Sequence, residues 1–236
     1  MIVRSEPGSL LFITQPDHAV LALELVDRFD GLAAHARRDD IRLAVREHDN
    51  GWRELDEELV FDAATGKAFD FITAPEALKQ SVWPLGIDRL AGESPYAAAL
   101  VAAHALFVYA AHRDEEGWRA FFANQEARRD DLLGRARVPR EVLDADYRFL
   151  ALADMMSLSF CHGWTEPRER FGHAARCEDT TLVVTPAVVP SSPFPIGVPA
   201  RRIADRRYES AGDLRAALDA AAPESLAGHA CGRAAA

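Results

Sequence analysis

The chain has 236 residues, of which 49% are hydrophobic and 27% are charged, a balance typical of a globular protein rather than a disordered one. Its 27 basic and 37 acidic residues give a formal net charge of −10, which argues against nucleic acid or an anionic membrane as a partner. No apolar run reaches the ~18 residues of a membrane span, and the first residues lack the apolar segment of a signal peptide. Three irregularly spaced cysteines do not form a disulfide framework, and we therefore expect a soluble, cytoplasmic protein.

Turn and cap signals predict the elements of the first half of the chain. Strand-like residues on both sides of Pro7-Gly8 predict a short hairpin. Thr14, followed by Pro16 and an acidic residue, is a typical helix start and predicts a helix to about residue 29. A second helix is expected over about 39–49, ending at Asn50-Gly51, and a small hairpin within residues 59–72.

The second half is predicted to be mostly helical until about residue 179. Ser94-Pro95 begins an apolar helix over about 96–112, a further helix is expected near 115–135, and Pro139 opens a long helix that reaches Cys161. Beyond residue 179 we expect short β segments, a helix over about 211–221 and a flexible Gly- and Ala-rich tail. The predicted fold class is mainly α, a helical core with small N- and C-terminal β elements. The expected domains are 1–178 (a helical metal-binding domain with an N-terminal hairpin), 179–222 (a β-rich appendage packed on it) and 223–236 (the flexible tail).

Ionisable residues interrupt the apolar stripes of four predicted helices. These residues are His18, His48, His104 and Asp154, each at a position where helical spacing calls for an apolar side chain. Asp49 directly follows His48. A buried carboxylate is costly without a partner, so Asp154 requires a cation or strong donors. Three imidazoles and two carboxylates suit Fe, Mn, Zn or Co better than Ca or Mg, and the set predicts a site for one or two such ions.

Each residue alone has a simpler interpretation. A single histidine such as His18 or His104 is more often a hydrogen-bonded core residue. Asp154 could pair with an arginine, and His48-Asp49 could simply end a helix. The occurrence of all five in or directly beside successive helical stripes is what favours the metal site.

Three segments resemble the DUF3891 family of bacterial proteins: Gln15-Pro16-Asp17-His18-Ala19, Glu47-His48-Asp49-Asn50-Gly51-Trp52 and Asp154-Met155-Met156-Ser157-Leu158. The order of the ionisable residues also resembles the HD superfamily of metal-dependent phosphohydrolases, over most of residues 1–162. That resemblance implies an HD-like helical core in which His18, His48, Asp49 and Asp154 hold a first metal. It implies Asp49 as a bridging ligand and His104 as a contact of a second metal or of the substrate.

The chain departs from the HD pattern in two respects. The lysine that commonly follows the His-Asp pair is absent, since the sequence continues as Asn50-Gly51-Trp52. His112, the nearest candidate for a further histidine, lies about 12 Å along the predicted helix from His104. The sequence therefore offers few candidate ligands for a second metal.

The resulting functional hypothesis is an HD-type metal-dependent hydrolase that acts on a small phosphorylated metabolite. Asp49 and Asp154 are the expected catalytic carboxylates, and Trp52, Arg53 and Ser157 are the expected substrate contacts, with Arg53 as the first phosphate contact. One alternative is an HD-fold diiron oxygenase that cleaves a C–C or C–P bond, and another is a non-catalytic metal-binding or ligand-sensing protein. The expected partner is a small molecule, with a homodimer as the possible assembly.

Overall fold

A computed structural model describes residues 1–235 and shows an α/β protein. The helices are α1 (Gln15–Val26), α2 (Arg38–Glu47), α3 (Arg53–Glu58), α4 (Glu76–Ala91), α5 (Pro95–Val108), α6 (Arg119–Ala136), α7 (Arg140–His162) and α8 (Ala211–Ala220). The strands are β1 (Ile2–Glu6), β2 (Ser9–Ile13), β3 (Phe61–Asp62), β4 (Lys67–Ala68), β5 (Arg168–Arg170), β6 (His173–Glu178), β7 (Thr181–Thr185), β8 (Phe194–Ala204) and β9 (Pro223–Gly232). No helix within these residues is long and apolar enough to cross a membrane.

Local signals in the sequence correctly placed most helices and both hairpins. The Thr14 side chain accepts a hydrogen bond from the Asp17 backbone N–H at the start of α1, and Ser94 caps α5 through the N–H of Ala97. Such caps satisfy backbone donors that have no partner within the helix. Two helices were missed: the short α3, and α4, which contains Pro84 in its interior.

The expected mainly α fold is wrong, because both ends of the chain contribute strands to one large, seven-stranded mixed sheet. Its strand order is β1-β2-β8-β9-β7-β6-β5, with β7 and β9 parallel and the other neighbours antiparallel. The longest strand, β8, contains Pro195 and Pro199, which made this segment look irregular. Strand β2 pairs only with Arg201–Ala204 of β8. Pro195 and Pro199 precede this stretch, so β2 does not pair with β8 at the two prolines. An unpaired strand edge tolerates proline, which has no N–H to donate.

The flexible tail expected after Pro223 is also wrong as far as Gly232, because this segment is β9, between β8 and β7. Its glycines are needed for close packing. A Cβ on Gly228 would lie 2.1 Å from the Thr180 carbonyl oxygen and 2.8 Å from the Phe160 ring. Composition indicated flexibility here, whereas the small residues allow α7 and a neighbouring loop to approach the strand closely.

The two faces of the sheet pack against different helices. Leu11 and Ile13 belong to the large core that includes α1, α2, α5 and α7. Leu10 and Phe12, which alternate with them along β2, join a second core with Leu218 of α8. This alternation follows from the two-residue period of a strand, and it places the four helices that carry the ionisable residues in one core.

Candidate metal centre

The structure brings all five ionisable residues together in what we call the His–Asp cluster. His18 lies in the first turn of α1, His48 and Asp49 directly follow α2, His104 lies in α5 and Asp154 in α7. His18, His48 and His104 are 0%, 2% and 3% exposed and Asp49 is 8% exposed. The Asp154 side chain, at 15%, is the most exposed of the five.

Four of the five side chains point towards one common centre. Nε2 of His18 lies 2.9 Å from Oδ2 of Asp49 and 3.9 Å from Oδ1 of Asp154. Nε2 of His48 lies 3.5 Å from the same oxygen of Asp49 and 3.4 Å from the same oxygen of Asp154. Atoms that share a tetrahedral ion at the usual bond lengths of 2.0–2.1 Å are about 3.3 Å apart, and His18, His48 and Asp49 form one group with metal-ligand spacing.

The fifth residue, His104, approaches the other oxygen of Asp154. Its Nε2 lies 3.7 Å from Oδ2 of Asp154, and His48, His104 and Asp154 form a second group with metal-ligand spacing. The two oxygens of Asp154 thus face different histidines. His48 belongs to both groups, and Asp154 lies between His48 and His104. The bridging role that the HD resemblance implies for Asp49 stays a prediction.

Hydrogen bonds fix the ring orientation of His48. Its Nδ1–H donates to the Val45 carbonyl oxygen at 2.7 Å, so in the neutral ring the lone pair is on Nε2. That buried nitrogen has no hydrogen-bond partner among the described residues. A backbone carbonyl bonded to the far nitrogen is the usual support of a metal-bound histidine.

His18 is held in the same way by Ser157. The Ser157 hydroxyl donates to the Asp154 carbonyl oxygen at 3.0 Å, and its oxygen lies 2.9 Å from Nδ1 of His18. Nε2 of His18 is directed at the carboxylates and lies at hydrogen-bond distance, 2.9 Å, from Oδ2 of Asp49, where a bound metal ion would take the place of the shared hydrogen. Ser157 was predicted as a substrate contact, and the structure places it behind His18 instead.

The pKa values of the residues in the cluster are shifted in different directions. Burial alone lowers the pKa of His48, but Asp49 and Asp154 raise it to about 9. Burial alone raises the pKa of Asp154, but the nearby His48, 3.4 Å away between Nε2 and Oδ1, and the other histidines bring it well below its usual range. For His104 burial dominates and lowers the pKa to about 4, so its ring is neutral at pH 7 and available as a ligand.

The other predicted site residues lie outside the cluster. Trp52 is buried in the short turn after Asp49. Arg53 starts α3 with its side chain 49% exposed, and its ion pair is with Glu47, at 3.7 Å between Nη2 and Oε2. His112 is bonded to Glu115 on the surface and stacks on Trp118, so it is not a ligand of the cluster.

Sequence reasoning missed the role of Tyr147. Its hydroxyl lies 2.9 Å from Nδ1 of His104, and burial raises its pKa well above the ordinary value, so the phenol stays protonated. Tyr147 is 7 residues before Asp154 in α7, two turns along the same helix face. That spacing is the signal that could have identified it.

Comparison with known proteins gives one match. A family model described as "Protein of unknown function (DUF3891)" matches residues 1–205. No curated protein and no solved structure matches the chain. The predicted resemblance to this family is confirmed, while nothing in the comparisons supports the resemblance to the HD superfamily.

Proposed function

The chain belongs to the DUF3891 family, and we propose that its His–Asp cluster is the divalent-metal centre of a hydrolase acting on a small phosphorylated metabolite. All five cluster residues lie within the matched region. The proposal rests on the residues of the cluster and not on an HD fold, which the seven-stranded sheet contradicts.

The observation that carries the proposal is the convergence of two histidine Nε2 atoms on two buried carboxylates. The Val45 carbonyl and the Ser157 hydroxyl hold the Nδ1 atoms of His48 and His18, so both Nε2 atoms face the carboxylates of Asp49 and Asp154 at 2.9–3.9 Å. Two buried carboxylates in this position require donated hydrogens or a cation between them and the imidazoles. A proton on His48 meets part of this demand, and a divalent ion shared by all four groups meets it completely.

The residues then have distinct roles. His18, His48, Asp49 and Asp154 hold the ion, and Val45, Ser157 and Tyr147 orient the imidazoles. When bound, such an ion supplies a water of lowered pKa and neutralises charge that develops on phosphate oxygens. Asp154, as the most exposed ligand, is the carboxylate best placed to orient a water that enters from solvent.

Metal analysis of the purified protein by ICP-MS tests this proposal. We expect at least about one equivalent of Fe, Mn, Zn or Co, and its loss in Asp154→Asn, which preserves the side-chain shape. Asp144→Asn is the matched control, because Asp144 lies on the same helix but is exposed and pairs with Arg140. If the wild-type protein stays metal-free after reconstitution, or if both variants keep the metal, the proposal fails.

The burial of the cluster favours a second candidate, a metal centre that stabilises the fold or senses a ligand without turnover. His18, His48 and His104 are almost fully buried, and closed ligand sets are typical of structural sites. Turnover of phosphomonoester and phosphodiester substrates by the metal-loaded protein, abolished in Asp154→Asn, would favour the hydrolase. A melting temperature that falls on chelation, with no turnover, would favour the second candidate.

A further inference from the structure

A sizeable cavity lies outside the His–Asp cluster. It has a volume of about 540 Å³, and none of the five cluster side chains lines it. We call it the charged cavity. Its walls come from the start of α1, from α3, from β8, from α8 and from the start of β9. A volume of this size is typical of small-molecule sites.

The body of the cavity is apolar. Phe12 and Pro16 line one side, and the other side is formed by Pro199, Leu218 and Pro223. These side chains offer no hydrogen bonds, so a ligand that fills the space needs an apolar body of its own.

Several of the charged groups around this body are already paired. Asp56 accepts from the Gln15 backbone N–H at 2.6 Å and also pairs with the Met1 amino group. Glu224 pairs with Arg202 at 2.8 Å. Arg215 donates to the Glu57 carbonyl oxygen and lies 3.8 Å from Asp219. These groups therefore have little capacity left for a ligand.

Charges of both signs remain after those pairs are set aside. Within residues 1–235, Arg201 donates only to the carbonyl oxygens of Leu218 and Ala221, and the one ion pair of Arg53 is the 3.7 Å contact with Glu47. Asp17 accepts from the hydroxyl of Thr14. Among the described residues neither Asp17 nor the carboxylate of Glu57 forms an ion pair. The cavity thus presents two guanidinium groups and two carboxylates that do not neutralise one another.

We propose that the charged cavity binds a small zwitterion with an apolar body, of amino-acid to dipeptide size. Arg53 and Arg201 are the contacts for its carboxylate, and Asp17 and Glu57 are the contacts for its amine. A guanidinium recognises a carboxylate through paired N–H donors, and the apolar walls receive the side chains of the ligand. The site is independent of the proposed metal chemistry.

Isothermal titration calorimetry with L-leucyl-L-leucine as the probe tests this assignment. Its N-acetyl derivative lacks the ammonium group and its amide lacks the carboxylate. We expect the dipeptide to bind at least about tenfold more tightly than either derivative, because each derivative is missing one of the two charges that the cavity recognises. Equal affinity for all three compounds, or no binding of the dipeptide at millimolar concentration, would overturn the proposal.

Variants assign the two charges of the probe separately. Arg53→Gln should weaken the dipeptide and its N-acetyl derivative but leave the amide unchanged. Asp17→Asn and Glu57→Gln should weaken the dipeptide and its amide but leave the N-acetyl derivative unchanged. All three side chains are at least partly exposed, so the fold should tolerate the changes, which circular dichroism checks.

Two further variants serve as controls. Arg46→Gln removes an exposed guanidinium that pairs with Glu47 and lies outside the cavity, so binding should not change. An equal loss in Arg46→Gln and Arg53→Gln would show a general charge effect and reject the assignment. Asp154→Asn should bind the dipeptide normally even when it has lost its metal. A loss of binding in that variant would place the ligand at the His–Asp cluster instead.

Discussion

The His–Asp cluster and the charged cavity contain the same kinds of polar group, yet they place opposite demands on a ligand. In the cluster the imidazoles and carboxylates are buried and their potential ligand atoms converge, so the partner that we propose is a cation. In the cavity most charges are exposed and several are paired, so both signs remain available. Burial and hydrogen-bond direction, more than residue type, therefore decide what each polar site can bind.

The largest expected effect follows from the central position of His48 within the cluster. Its Nε2 belongs to both groups of potential ligands, whereas His104 faces only Asp154. We expect His48→Gln to lower metal affinity by more than about 100-fold, beyond the usual cost of changing a supporting residue. His104→Gln should retain about one equivalent of metal, as measured by ICP-MS and competition with a chromophoric chelator.

The reverse pattern would contradict this assignment. If His104→Gln lost all metal while His48→Gln kept it, the ion would lie between His104 and Asp154 alone. Dipeptide binding should be unchanged in both variants, because neither histidine lines the charged cavity.

Strand β9 connects the two regions, and Gly228 tests that connection. The first residues of β9 line the cavity, while Gly228 meets Phe160 of α7, the helix that carries Asp154. Gly228→Ala should lower the free energy of unfolding by about 1–3 kcal/mol, because the added methyl group overlaps a carbonyl oxygen and an aromatic ring. Urea denaturation followed by circular dichroism measures the change.

Gly212 offers the matched control for that substitution. It lies in α8, where a Cβ would have only the Ser210 hydroxyl as a neighbour, at 3.6 Å. Gly212→Ala should therefore stabilise the protein by about 0.5–1 kcal/mol, the usual helix preference for alanine over glycine. A neutral Gly228→Ala variant would mean that β9 does not pack in the sheet as described.

How much of the structure the sequence predicts depends on whether the interactions that fix it are local or distant. Thr14 and Ser94 mark helix starts through hydrogen bonds within a few residues, and Pro139 does so through its fixed backbone angle. Those three helices were placed correctly. The five cluster residues could be selected because each interrupts a helical stripe or, as Asp49 does, directly follows a residue that interrupts one. Strand β9 could not be predicted, since Gly228 is a strand residue only because β7, β8 and α7 surround it.

Prediction of the candidate site from the sequence meets the same limit. The candidate metal ligands could be chosen from the sequence, but the position of Asp154 between His48 and His104 could not, because it depends on how α2, α5 and α7 pack together. Nor could the sequence indicate the charged cavity, whose walls come from residues as distant as Phe12 and Pro223. Pairs such as Glu224 with Arg202 follow from strand register, which no single segment specifies.

Proton release provides a test that only the cluster should pass. Without a metal, the raised pKa of about 9 keeps His48 protonated at neutral pH, and an ion that takes its Nε2 must displace that proton. Metal affinity should therefore rise about tenfold per pH unit from pH 7 towards pH 9, and then level off. Calorimetry in buffers of different ionisation enthalpy should show about one proton released per ion at pH 7.5.

The number of protons released per ion can be checked with a control variant. His104 has a pKa of about 4, so it is already neutral at pH 7.5 and should contribute no proton. His104→Gln should leave the count unchanged for the first ion. Metal binding that is independent of pH between 7 and 9 would mean that His48 is not a ligand.

The smallest effect expected within the cluster concerns Tyr147, which hydrogen-bonds to His104. Its hydroxyl is the partner of Nδ1 of His104 at 2.9 Å, and Tyr147→Phe removes that bond without changing the ring that packs against Phe107 and Phe171. We expect a loss of about 1 kcal/mol in the free energy of unfolding of the metal-free protein. The first equivalent of metal should bind as in the wild type, because Ser157 and Val45 still orient His18 and His48. Loss of that first equivalent in Tyr147→Phe would show that His104 belongs to the main site, and the two groups of ligands would then have to be treated as one.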